Sequence, residues 1–159
     1  MAKKTEMMDY LKTIDNFISN SQKNNFKYRS MYHFLIENGQ FFRDPKEKKF
    51  HYKKKECYYN TYKIVSENPE LKYVEGFAMS IIPIEHAWAV DPKGYVVDPT
   101  WDDGSAYFGV VFPIVYVIRL MFSKGFVGPV IDNWEQKWPL LTGEHNYKNG
   151  LVDTGGGHG

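Results

Sequence analysis

The 159-residue chain holds one cysteine, Cys57, so it can build neither an intrachain disulfide nor a multi-thiolate metal site. It also has almost no net charge: 20 Lys and Arg against 19 Asp and Glu leave +1. Dedicated nucleic-acid binders are strongly basic as a rule, so this balance argues against one. Long apolar runs are missing. The longest, residues 110–120, is broken by Pro113 and Arg119 and is too short to span a bilayer. No signal-peptide apolar core follows Met1, and a lone thiol stays reduced in a reducing compartment. These absences predict a soluble, cytoplasmic protein without a membrane partner. His33, His51, His145 and His158 show no metal-ligand spacing, and the Gly155-Gly156-Gly157 run opens no helix. Neither metal nor cofactor is expected.

What is present is a globular composition with a high aromatic share, 17%, which excludes disorder over the bulk of the chain. A chain of this length buries about 70% of its unfolded surface, enough for a core without staples. One domain over residues 1–152 is expected, with 153–159 as a disordered tail. Met7, Met8, Leu11, Ile14, Phe17 and Ile18 recur at helical spacing, with Thr5 as a cap. A second helix is expected over about 30–38, ended by Gly39 in a left-handed conformation. Six lysines, from Lys46 to Lys55, read as a solvated loop or charged edge strand, or else as a patch for an anionic ligand. A short helix opening at Cys57 is expected to stop before Pro69. Strands are expected over 72–79, 85–91 and 95–100, with Tyr73, Glu75, Phe77 and Met79 sharing one face. Residues 114–123 read equally as helix or buried strand, and Asp132 suits the cap of a short helix to Trp138.

The residues that carry chemistry are Cys57, His86 and Asp98. A thiol attacks as the thiolate, and a helix N-terminus, neighbouring cations and an imidazolium all lower its pKa. Cys57 opens a helix, follows Lys53-Lys54-Lys55, and is followed by His86 in a strand. The histidine needs an acceptor on its other nitrogen to fix its tautomer. Asp98 lies on the next strand of a hairpin, and the register decides whether it can serve. A two-residue loop, Pro92-Lys93, would set Asp98 opposite Ala87 and turn it away. A three-residue loop, Pro92-Lys93-Gly94, pairs Asp91 with Tyr95 and Trp88 with Asp98. It puts His86, Trp88, Asp98 and Thr100 on one face and needs a left-handed residue, which Gly94 supplies. Diagonal neighbours in such a pair lie roughly 7–8 Å apart, within side-chain reach. Asp91, the rival orienter, faces the other way and starts the turn.

Cys57 at a helix start, His86-Ala87-Trp88, and Val96-Val97-Asp98-Pro99-Thr100-Trp101 together resemble the transglutaminase-like branch of the papain-like superfamily. Tyr73-Val74-Glu75-Gly76-Phe77-Ala78 and Tyr107-Phe108-Gly109-Val110 are similar to its microbial and phage members. The likeness runs over about 55–112. It implies an α+β domain with N-terminal helices and a Cys-bearing helix packed on an antiparallel sheet. It also implies acyl transfer through a thioester, with Cys57 as nucleophile, His86 as base then acid, and Asp98 as orienter. The substrate would be a protein, a peptide or a small amide or ester, with water or an amine as acceptor. The Cys57 N–H would be one oxyanion donor, and by analogy with the upstream glutamine of papain-like enzymes Gln40 is the candidate for the second. No Trp precedes Cys57 closely; Glu56 stands there. Asn60, one turn after Cys57, Glu75 and Trp88 are the further candidates for the cleft. Two alternatives remain open on sequence: an arylamine-acetyltransferase-like acyltransferase, and a non-catalytic binding protein that keeps the fold with Cys57 inert.

Overall fold

The computed structural model describes residues 2–21, 23–46 and 54–149. Most of the lysine-rich stretch (47–53) and the 153–159 tail, with the expectations placed on them, lie outside the described residues. Helix α1 (Ala2–Ser21) starts before Thr5, which is therefore inside the helix and not its cap. Helix α2 (Met31–Asn38) is capped by Ser30, whose side chain accepts the His33 N–H. Gly39 ends it in an extended conformation, φ −85°, and not in the left-handed one expected. The chain passes directly from there into strand β1 (Gln40–Phe41). Helix α3 (Cys57–Glu67) begins at the cysteine, as the sequence predicts. Strands β2 (Lys72–Met79), β3 (Pro83–Val90), β4 (Val96–Val97) and β5 (Ser105–Phe112) follow, then helix α4 (Ile114–Lys124), a turn of 3-10 helix at Trp134–Gln136 and helix α5 (Pro139–Thr142). The ambiguous 114–123 segment is thus a helix, closed by Gly125 at φ 84°. The last turns replace the single helix expected from Asp132 to Trp138.

The architecture is α+β. Five antiparallel strands run in the order β1-β5-β2-β3-β4. The sheet curls until its two edges meet: just beyond β1, Arg43 bridges to Tyr95 just before β4. The Arg43 N–H donates to the Gly94 carbonyl (3.0 Å) and the Val96 N–H to the Arg43 carbonyl (2.9 Å). Strand alternation then sorts side chains to two sides. Outward residues such as Tyr73, Phe77, Ala87, Ala89, Phe108 and Phe112 pack beneath the helices with Met7, Leu11, Leu35, Ile64 and Tyr116. Inward residues Phe42, Val74, Ala78, Trp88, Val90, Val96 and Tyr107 fill the curl. Gly76 and Gly109, opposite each other on β2 and β5, let the strands close so tightly. A Cβ on Gly76 would stand 2.2 Å from the Phe108 carbonyl oxygen, and one on Gly109 would stand 2.9 Å from the Trp88 ring. Among the described residues no helix is long and apolar enough to cross a membrane.

Candidate active site

The hairpin places the site. β3 pairs with β4 as Ala89 with Val97 and Val90 with Val96, the register of the three-residue loop. The Asp91 N–H donates to the Tyr95 carbonyl (2.9 Å) and Gly94 takes φ 84°. Asp91 is consumed by the turn: its Oδ1 accepts the Lys93 and Tyr95 N–H groups, both at 2.9 Å. β4 stops at Val97, so Asp98 leaves the ladder and turns its side chain toward His86. The His86 Nε2 lies 2.7 Å from Asp98 Oδ2, with both side chains buried.

Asp98 is held by more than the histidine. The Tyr107 hydroxyl donates to Oδ2 at 2.7 Å, and the N–H groups of Thr100 and Trp101 donate to Oδ1 at 2.9 and 3.0 Å. Burial opposes its charge. The His86 hydrogen bond and charge, with the Trp101 and Thr100 N–H groups, outweigh burial and hold the carboxyl below its ordinary 3.8. Burial and the Asp98 charge push the Tyr107 hydroxyl far above the phenol range, so it remains a donor. The carboxylate against Nε2 keeps a proton on that nitrogen, so that in the neutral tautomer Nδ1 is the nitrogen left to act as a base. Trp101 lies flat on the imidazole, centroids 3.8 Å apart and planes 13° apart, which fixes the ring and shields its bond to Asp98 from water.

Cys57 is half-buried. It shares with His86 a cleft of about 660 Å³ that Lys54, Lys55, Ile84, Glu85, Thr100 and Trp101 also line. Lys55, left-handed at φ 70°, steers the chain into α3. The Asp91–Tyr95 bond fixes odd-numbered residues of β3 as pointing toward β4. Because β4 ends at Val97, no carbonyl of that strand takes the Ala87 N–H. The thiol takes it. Burial pushes the Cys57 thiol up from 9.0 to about 11. Backbone bonds from Ala87 and Tyr58 oppose this, and the charges of Glu75 and Asp98 add to it. The expectation of a lowered pKa is therefore corrected: at a helix start only half open to water, desolvation exceeds the help of the Ala87 and Tyr58 N–H groups.

The other candidates are dispersed. Asn60 is buried behind the cleft wall, where its Nδ2 donates to Thr100 Oγ1 (3.1 Å) and ties the Cys57 helix to the Asp98 turn. Trp88 lies wholly inside the curl, edge-on to Tyr107 at 5.0 Å, and does not reach the cleft. Gln40 pairs with Gly109, in the row Gln40–Gly109–Gly76–His86. It is not among the residues that line the cleft with Cys57 and His86. Glu75 points outward beneath the helices. It accepts the Val130 N–H at 2.9 Å and the Ile131 N–H at 2.8 Å, together with the Tyr73 hydroxyl at 3.2 Å. It clamps the segment after α4 to β2. Lys46 stands over the Tyr95 ring (4.4 Å), at the hairpin turn and not in the cleft. Sequence reasoning missed Tyr107, Trp101 and the Ala87 N–H as parts of the site, although Tyr107 and Trp101 stand in motifs it singled out. Among the described residues no group of three or more His, Cys, Asp or Glu is placed to hold a metal. Compared with protein-family models, curated proteins and solved structures, the chain matches none.

Proposed function

We propose that this protein is a thiol-dependent acyl-transfer enzyme of transglutaminase-like, papain-like type, acting on an amide, isopeptide or ester. The observation that carries the reading is a buried His86–Asp98 pair at 2.7 Å, opening onto a cleft that also holds the cysteine at the start of α3. The resting thiol is neutral. Its proton passes to His86 Nδ1 as sulfur bonds to the substrate carbonyl carbon, and the imidazolium so formed is stabilised by Asp98. The oxyanion takes the Cys57 N–H, which at the first position of a helix has no partner within it. His86 then gives its proton to the departing amine or alcohol. The thioester is released to water or to an amine. One observation favours the alternative of an inert cysteine: the thiol is raised and bonded by Ala87.

The two readings separate on p-nitrophenyl acetate. The enzyme should release one nitrophenolate per chain in a burst and gain one acetyl group on Cys57 by intact-mass spectrometry. Cys57→Ala should abolish both signals, and His86→Ala should cost nearly as much because the residues act as a unit. A burst that survives Cys57→Ala would remove the covalent mechanism.

A further inference from the structure

The turn between β2 and β3 is built from the wrong residues for a turn. Tips of this kind are normally Gly, Asn, Asp or Ser. Here the chain reads Ser80-Ile81-Ile82-Pro83-Ile84, closed by the Ser80 N–H donating to the Ile82 carbonyl at 3.2 Å. Ile81 is 92% exposed, Ile82 62% and Ile84 40%. Three isoleucines in water within four residues are a contiguous apolar strip, not scattered surface residues.

The strip is continuous with the cleft. Ile84 belongs to both: it is the outermost exposed isoleucine along β3 and also a wall of the cleft that holds Cys57 and His86. It points to the same side of β3 as His86, two residues on. Trp101, flat on the imidazole, lines the same cleft. A group bound to the Cys57 sulfur therefore has an apolar surface leading from Ile84 out along the tip. The charged groups of the cleft, Lys54 and Lys55 against Glu85, Asp102 and Asp103, carry both signs and favour no ion.

We infer that the 81–84 tip is the substrate-selecting lip of the cleft, and that the acyl group it selects is apolar and longer than the cleft floor. The inference rests on the acyl-transfer reading and adds a substrate class to it: acyl groups with an extended aliphatic portion. Ile84 takes the first carbons beyond the carbonyl, and Ile81 and Ile82 cover those further out.

The test compares p-nitrophenyl acetate with the hexanoate on the full chain and on the double variant Ile81→Ser, Ile82→Ser. Both positions are exposed turn residues, so the variant should keep its near-ultraviolet circular dichroism. The hexanoyl-to-acetyl ratio of kcat/KM should be about tenfold for the unmodified protein, as expected when four more methylenes are partly covered. In the double variant it should fall to about twofold. An unchanged ratio overturns the inference. If no ester acylates Cys57, the acyl-transfer reading falls, and the lip is judged by binding alone. Hexanamide should then give a saturation-transfer NMR signal on the Cys57→Ala protein that acetamide does not give, and that signal should vanish in the triple variant. Absence of the hexanamide signal overturns the lip. Loss of self-association or of phosphatidylcholine-vesicle binding in the double variant, with the ester ratio intact, also overturns it and assigns the tip to a second copy or a lipid surface.

Discussion

Both oxygens of Asp98 are in use, Oδ2 by His86 and Tyr107 and Oδ1 by two backbone N–H groups. Asparagine at this position keeps the shape but has only one accepting oxygen. If that oxygen stays on the backbone, the amide nitrogen faces His86 and forces the ring to accept at Nε2 and carry its proton on Nδ1, where the proposed mechanism needs a base. Asp98→Asn should therefore fold and lose about a thousandfold to ten-thousandfold in acylation of Cys57, read from the nitrophenolate burst. Asp98→Ala should instead lose stability, by about 3–5 kcal/mol, because it leaves a buried hydroxyl and two N–H groups unmatched. The His86–Asp98 pair and the place of Cys57 at a helix start were legible in the sequence because residue type, order and hairpin register are local properties. Gln40 and Glu75 were not. Where Gln40 ends up depends on which strand β1 joins, and Glu75 found its partners, Val130 and Ile131, far along the chain. Tyr107 reaches Asp98 from β5, which is not a neighbour of β4 in the sheet.

Two glycines separate the conformational from the steric demands on the strands. Gly94 has φ 84° and open space around its missing side chain, so Gly94→Ala isolates the cost of a left-handed backbone, about 1 kcal/mol. A Cβ at Gly76 meets the Phe108 carbonyl, and β2 and β5 would have to part. Gly76→Ala should cost roughly 3 kcal/mol or more. Urea midpoints at unchanged slope check both, and equal costs would contradict the distinction. Gly94 was readable in the sequence because the turn demanded it. Gly76 was not, since its partner on β5 is a long-range contact. β5 itself was obscured: its end, Val110-Val111-Phe112, runs straight into the apolar α4, and only Pro113 divides them. The expected strand over 95–100 shrank to Val96–Val97 because Asp98 left the ladder to reach His86.

For the molecule as a whole, two buried carboxylates impose opposite slopes of stability against pH. Asp98 is held below its ordinary 3.8, so the stability it contributes is present above that value and drains away as pH falls further. Glu75 is the reverse. Burial, against the Ile131 and Val130 N–H groups and the Tyr73 hydroxyl, raises it from 4.5 to about 7. The unfolded chain then releases this proton before the folded one does, so stability declines between pH 4.5 and 7 by on the order of 3 kcal/mol and is level above. Glu75→Gln should remove that decline: the difference in unfolding free energy between pH 5 and pH 8 should shrink by most of this amount in denaturant titrations, and an unshifted difference would exclude Glu75 as its source. The curled sheet also has a consequence for biosynthesis. Ribosomes deliver the chain from its N-terminus, so β1 emerges long before β5, the strand it pairs with, and waits as a bare edge. Cys57, His86 and Asp98 all leave the ribosome before Tyr107, which secures Asp98, and before Gly109, over which Trp88 settles. A nascent chain that already carries Cys57, His86 and Asp98 therefore still lacks the strand that holds Asp98, and the candidate site can be completed only when β5 has been made.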